Sequence, residues 1–379
     1  MLIQTGLDIN DDSANERAKR SGGSRGIAAG ERARNNDDFS RNDVKINLKA
    51  LSSSLGLSRT TVSRALNGYD DVSEATRERV MKAARELGYQ ADPTARRLAT
   101  GRAEAVGIVY PFGADDLGDP RFGEVVAGIT ERLAQSNLDF IIVSARPNAE
   151  LDTYRRLLDS RLVDGLIVAR TLVDDPRIRL LQERGFPFVA YGRTDSAQPY
   201  SWFDFDNEAG ARAAAERLIG FGHRRIAMIS APLRLSFAAQ RREGFVGALR
   251  EAGLAPDGAL MVETTFDREG GYRAAQALLS REERPSALLV DNNIAGSGAF
   301  RAIVDSGLRP GKDISLIVYD GVPADVAAPL TVTAVVQPTG QESGRVLADL
   351  IVKTINGGTR DAHELAAPRI ETGDSDGPV

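Results

Sequence analysis

Cysteine is absent from the 379 residues, which rules out disulfides and thiolate chemistry. Histidine is nearly absent: His223 and His363 are the whole supply. Neither stands beside a recognisable nucleophile motif or at metal-ligand spacing, so no catalytic residue, metal or cofactor is expected. The glycines of Gly296-Ser297-Gly298 lack the downstream glycine and lysine of a phosphate loop. No apolar run approaches the roughly 20 residues that a bilayer-spanning helix needs. The first residues lack the basic start and apolar core of a secretory signal, so a cytoplasmic protein with no membrane partner is expected. The length suffices for two or three domains with real cores.

The stretch from Asn47 to Asn67 carries the first positive signal, because it reads as two short helices joined by a tight turn. Leu48, Leu51 and Leu55 repeat at helical spacing, Gly56 supplies the turn, and Leu57 plugs the angle. Ser58 is a natural N-cap for a second helix whose inner face is Val62, Ala65 and Leu66. Its outer face, Arg59, Thr60, Thr61, Ser63, Arg64 and Asn67, holds donors and acceptors and no acid. Burying such a face gains nothing, whereas a helix-turn-helix offers it to base edges in the DNA major groove. Arginine forks onto guanine O6 and N7, and threonine offers a hydroxyl and a methyl group to thymine. Ser73 then caps a third helix, with Val80, Ala84 and Leu87 inward and Gly88 ending it.

The net charge of −5 argues against a nucleic-acid partner until it is divided along the chain. Residues 44–102 hold eleven Lys/Arg against six acids, a net +5, residues 1–43 hold seven against eight, and the remainder carries −9. A basic head on an acidic body is the footprint of a DNA-reading module. Residues 1–43 are polar and Gly/Ser-rich without an apolar period, so they are expected to be disordered and inert.

GLSRTTVSRALNG, VSEATRERV and ELGYQADPTARRLATG follow one another in order. On these motifs the chain resembles the lac-repressor/pur-repressor (LacI/GalR) family of bacterial transcription regulators, closely up to residue 102 and more loosely to about residue 370. Ser52-Ser53-Ser54 stands where the family usually has Ala and charged residues, and Ala50 where an acid is common. Serines compete with helical hydrogen bonding, so the first helix needs tertiary support. The resemblance implies that residues 91–102 form a hinge helix, capped by Asp92 with Pro93 in its first turn, which folds only against its dimer mate on operator DNA. Leu98 then matches the position that wedges into the minor groove, with Arg96 and Arg97 flanking it near phosphates.

Beyond Arg102, β-rich runs at Val106–Tyr110, Phe140–Val143, Leu166–Ala169, Phe188–Tyr191, Ile226–Ile229, Ala287–Val290 and Ile314–Tyr319 alternate with amphipathic segments. This pattern predicts parallel sheets made by right-handed crossovers, in two lobes, with Gln341–Ile355 returning to the first. Ligands of such sheets bind beyond the carboxyl ends of the strands. Polar and aromatic residues there are Phe112, Arg121 and Phe122 after the first strand, Arg193 after Phe188–Tyr191, and Phe205 in SWFDFDN, then Arg241, Phe266, Asn292 and Asp320. By the resemblance Phe205, Arg241, Phe266, Asn292 and Asp320 occupy effector-holding positions. Arg, Asn and Asp suit vicinal hydroxyls, and Phe rings cover the apolar face of a pyranose. Trp202 is a further stacking candidate; Asp206-Asn207-Glu208 reads as a helix cap and His223 as a turn residue.

The expected fold is a small all-α helix-turn-helix DNA-binding domain with a hinge helix, followed by a two-lobed α/β effector domain of periplasmic-binding-protein type. The expected boundaries are a disordered extension at 1–43, the DNA-binding domain at 44–90, the hinge at 91–102, the effector and dimerisation domain at 103–370, and a disordered tail at 371–379. The expected function is a homodimeric repressor on near-palindromic operator DNA, controlled by a small sugar, an α-glucoside or similar neutral oligosaccharide. A two-lobed transport-type sugar-binding protein and a cytoplasmic sugar-processing enzyme are the alternatives. The basic head and missing signal weigh against the first, and the lack of a catalytic constellation against the second.

Overall fold

The computed structural model describes residues 46–89, 100–110, 120–146 and 149–379. They fall into two compact units that divide between Gln90 and Ala91. The extension 1–43, the hinge residues Arg96, Arg97 and Leu98, and Phe112 lie outside the described residues.

The first unit is three helices, α1 (Leu48–Leu55), α2 (Arg59–Leu66) and α3 (Glu74–Glu86). Leu51, Leu55, Val62, Ala65, Val80 and Ala84 make its core, with Leu57 partly buried against it. The serine run is tolerated because Ser52 Oγ donates to Lys49 O and Ser54 Oγ to Leu51 O, each at 2.9 Å. Those bonds turn the competing hydroxyls back onto their own helix. Tertiary support comes from Arg79 on α3, whose Nη2 donates to Leu55 O at 2.7 Å and satisfies a carbonyl at the end of α1. Leu87, expected inward, instead sits at the C-cap of α3 and is 38% exposed.

The second unit begins with β1 (Ala105–Tyr110), α4 (Pro120–Ala134), β2 (Asp139–Ser144), α5 (Glu150–Ser160), β3 (Gly165–Val168), α6 (Pro176–Glu183), β4 (Phe188–Tyr191) and β5 (Ser201–Phe205). It crosses to a second lobe of α7 (Asn207–Gly220), β6 (Ile226–Ser230), α8 (Ser236–Glu251), β7 (Met261–Glu263), α9 (Arg268–Leu279), β8 (Ala287–Val290), α10 (Asn293–Asp305), β9 (Ser315–Tyr319), α11 (Ala324–Ala327) and β10 (Thr333–Val336). The chain returns to the first lobe with α12 (Gly340–Ile355) and β11 (His363–Ala366), and closes the second with β12 (Arg369–Glu371). The strand orders are β11-β5-β4-β3-β1-β2 and β12-β10-β9-β8-β6-β7, so the lobes share one topology. The pairs in both sheets are parallel except that β12 runs antiparallel to β10.

Both faces of the central strands are covered, which is why β1, β3, β6, β8 and β9 read as continuous apolar runs. In the first lobe Ile129 and Leu133 of α4 and Leu347 and Ile351 of α12 bury one face, and Tyr154, Leu157, Ile178 and Leu181 the other. Helices α4 and α12 meet at glycines: a Cβ on Gly128 would stand 2.1 Å from Gln341 O, and one on Gly344 2.2 Å from Val125 O. Only hydrogen side chains permit that approach.

The expected disordered tail at 371–379 is not found. Ser375 Oγ donates to Leu316 O at 2.6 Å, Leu316 N donates to Ser375 O at 2.7 Å, and Val379 N donates to Phe221 O at 3.2 Å. Asp376, its side chain fully buried, accepts from Arg217 Nε at 2.5 Å. The segment has no apolar period, but its polar groups satisfy main-chain and side-chain partners of the second lobe, a complementarity that periodicity cannot reveal.

Candidate ligand cleft and DNA-reading helix

The cap of α2 is Ser58, whose Oγ accepts from Thr61 N at 3.0 Å and lies 2.9 Å from Thr61 Oγ1. Arg59 and Thr60 are exposed, while Thr61, Ser63, Arg64 and Asn67 are half-buried on the same helix. The face is less uniform than its sequence suggests. Arg64 Nη2 pairs with Asp71 Oδ2 at 2.7 Å, and its guanidinium lies 4.9 Å from the Tyr69 ring centroid. Asn67 Nδ2 donates to Ser63 Oγ at 3.4 Å. Arg59 is therefore the most available fork for a base edge, and Arg64 is held by an acid that lies beyond the helix in sequence.

In the second unit a cavity of about 170 Å³ opens where the carboxyl ends of both sheets face each other. Of the predicted residues, Arg121, Phe122, Phe205, Arg241, Phe266, Asn292 and Asp320 all line it. Arg193 does not. Its Nη1 donates to Asp204 Oδ2 at 3.0 Å and Phe205 O at 3.1 Å, behind the cleft wall. Trp202 instead stacks on His363, with centroids 4.8 Å apart. His223 is buried, with its ring nitrogens 2.8 Å from Ser286 Oγ and 2.9 Å from Ser315 Oγ, as befits a turn residue.

Arg241, on α8, is 5% exposed. Its Nε donates to Asn207 Oδ1 at 2.9 Å, its Nη1 donates to the backbone oxygen of Asp291, and the guanidinium lies 3.6 Å from the Tyr319 centroid and 4.8 Å from that of Phe237. Asn292 caps α10 by accepting from Ala295 N at 2.8 Å and donates to Asp291 Oδ1 at 2.7 Å. Burial raises the pKa of Asp291, against the pull of the Arg241 charge and of the bonds from Asn292 and Ala231 N. Burial likewise raises that of Asp204. Asp320, in left-handed backbone at φ 58°, pairs with Arg121 Nη1 at 3.0 Å, so this ion pair joins the two lobes across the cleft. The Arg121 Nη2 also donates to Pro338 O at 3.1 Å.

Sequence reasoning misses Tyr110, Arg170, Asn207, Phe237 and Gln337, which also line the cavity. Asn207 reads in sequence only as part of a cap, yet its Nδ2 donates to Phe205 O and Gln240 Oε1, both at 3.1 Å, while its Oδ1 holds Arg241. Phe237 lies four residues before Arg241, a spacing that puts both on one helix face. Arg170 follows a strand that the sequence reveals, and its guanidinium lies over the rings of both Tyr110 and Phe266. The lobes also touch at a β-bridge between Leu172 and Leu235, where Ser236 N donates to Thr171 O at 2.9 Å. Rings, hydroxyl-binding amides and paired charges can grip a polyhydroxylated ligand.

Residues 53–92 match the family described as bacterial regulatory proteins, lacI family, and residues 103–371 match periplasmic binding proteins and sugar binding domain of LacI family. The HTH-type transcriptional regulator RafR of Escherichia coli is 41% identical over 321 residues, 84% of this chain and 95% of that protein. A solved complex of the transcriptional regulator CelR with cellobiose is 31% identical, covering 87% of this chain and 100% of its own at a TM-score of 0.66. The crystal structure of the lac repressor dimer bound to operator and the anti-inducer ONPF is 26% identical, covering 87% of this chain and 99% of its own at a TM-score of 0.73. No helix among the described residues is long and apolar enough to cross a membrane.

Proposed function

The chain belongs to the LacI family of bacterial regulatory proteins and is a sugar-responsive DNA-binding regulator of transcription; from that premise we propose that it is a cytoplasmic homodimeric repressor governed by a neutral saccharide, without enzymatic activity. Arg59, Thr60, Thr61, Ser63, Arg64 and Asn67 read one half of a near-palindromic operator, and Arg97 and Leu98 act at its centre. Arg121, Phe122, Phe205, Arg241, Phe266, Asn292 and Asp320, with Phe112 beside them, hold the effector. Binding changes the lobe angle, and with it the spacing of the two hinges and their folding.

The observation that carries the neutral ligand is that the arginines of the cleft are already engaged. Arg121 pairs with Asp320, Arg241 donates to Asn207 Oδ1 and to the backbone oxygen of Asp291, and Arg170 lies over the rings of Tyr110 and Phe266. A phosphate would have to break these contacts to reach a cation, whereas hydroxyls use the same groups as donors and acceptors. The cellobiose complex of a relative supports a short glucoside, and within that class we propose an α-glucoside or similar oligosaccharide. Titration calorimetry with neutral saccharides and with sugar phosphates tests the reading, followed by operator gel shifts with the best binder. A neutral sugar is expected to bind and to change operator affinity. Binding of sugar phosphates alone overturns it.

A further inference from the structure

Arg170 directly follows the residue after β3, where the backbone turns left-handed at φ 50°. For a residue with a Cβ that conformation is strained and persists only where the surroundings impose it. Here they do. Its carbonyl accepts from Arg177 Nη2 at 2.8 Å, and Arg177 is itself buried in a forked pair with Asp175 and a bond to Glu150. The next carbonyl, Thr171 O, accepts from Ser236 N of the other lobe. The backbone of Arg170 is thus fixed on the cleft wall while its side chain points across the cavity.

The guanidinium lies 4.6 Å from the centroid of Tyr110, in the first lobe, and 4.8 Å from that of Phe266, in the second. Two aromatic faces, one from each lobe, that both meet one flat, weakly hydrated group mark out a slot. Pyranose rings present apolar C–H faces that stack on aromatic rings at similar separation, so the slot has the shape and chemistry of a sugar subsite. The size of the remaining cavity agrees. An apolar cavity of about 150 Å³ holds a benzene ring, and the 170 Å³ here is of the size of one six-membered ring.

Resting on the saccharide reading above, we infer that the slot between Tyr110 and Phe266 is a subsite for a second sugar ring, filled by the protein's own Arg170 until a ligand longer than one ring displaces it. Arg170 then sets the length preference of the cleft. A monosaccharide leaves the guanidinium in place. A disaccharide must displace it, and this penalty falls on longer ligands alone.

The test is calorimetry on the full chain with methyl α-glucoside and methyl β-glucoside against maltose, cellobiose, maltotriose and cellotriose. Arg170→Ala removes the guanidinium, and Arg170→Asn does so with a residue that tolerates left-handed backbone. In both variants the ratio of disaccharide to monosaccharide affinity is expected to rise at least about tenfold, because the two cation–π interactions are among the contacts that a disaccharide no longer has to break. A ratio equal to that of the unaltered protein overturns the slot assignment while leaving the saccharide reading intact. Loss of mono- and disaccharide binding together also overturns it, because Arg170 then holds the ligand itself. If no saccharide of any length binds the unaltered protein, the saccharide reading fails and the slot falls with it.

Discussion

The two lobes share a strand order yet hold their cleft residues in opposite ways. The second lobe presents Arg241 at 5% and Asn292 at 4% exposure, each fastened by bonds to its own neighbours. The first lobe presents Arg121 with a side chain 21% exposed, and it reaches over to Asp320 of the other lobe. Arg170 reaches over as well, to Phe266. One topology therefore yields a preorganised seat on one side and reaching arginines on the other. Ordered groups bind without a further ordering cost, whereas reaching groups must give up one partner to take another. The seat should dominate affinity, and the arginines opposite should tune it.

The strongest way to break this comparison is Arg241→Ala. It removes a buried charge and strands Asn207 Oδ1 and the Asp291 carbonyl, so effector affinity should fall by about 2–3 kcal/mol. Operator binding without sugar should survive, leaving a repressor deaf to its effector, as calorimetry and gel shifts would show. Arg59→Ala is the control outside both lobes. It should cost about 1–3 kcal/mol on the operator and relax one base position in a randomised half-site selection, with sugar affinity untouched. Unaltered specificity would remove Arg59 from the readout.

Arg121→Gln sharpens the contrast. Losing the pair with Asp320 releases a carboxylate toward sugar hydroxyls while forfeiting one donor, so effector affinity should move by no more than about 1 kcal/mol. A loss as large as that of Arg241→Ala would mean that both lobes are seats. The smallest effect is in pH, where the lobes should behave alike. Asp204 in one and Asp291 in the other both have pKa values raised by burial. A raised carboxyl weakens folding as pH rises from the ordinary value of 3.8 through the folded one. The protein should therefore lose stability relative to Asp291→Asn, and equally to Asp204→Asn, as urea melts are repeated from about pH 4 to about pH 7. A constant difference would show that these acids ionise normally.

Much of the architecture is legible in sequence because buried parallel strands are short apolar runs and ligands lie past their carboxyl ends. Phe188–Tyr191 and Ala287–Val290 coincide with β4 and β8, and Arg241, Asn292 and Asp320 converge on one cleft. Rules of local order mislead where a side chain turns away. Arg193 follows a strand as Asp320 does, but an acid on the adjoining strand captures it. Tyr110 reads as strand because it is the last residue of β1, although its ring faces the cleft. Gln337 follows β10, a strand of four residues that no periodicity resolves. The order of 374–379 rests on hydrogen bonds to residues far away in the chain, and no local pattern encodes those.

The double crossing of the chain has a consequence for its birth on the ribosome. Synthesis begins the first lobe with β1, but the covering face of that lobe, Leu347, Ala348 and Ile351 of α12, is translated only after β10 of the second lobe. Until then Val106, Ile108, Ile167 and Val189 have only part of their cover, while most of the second lobe already has its helices on both faces. The lobe started first is completed late, and in the interval it is an open parallel sheet of the kind that aggregates. Nascent chains stalled between β10 and α12 should therefore be the ones that chaperones hold longest.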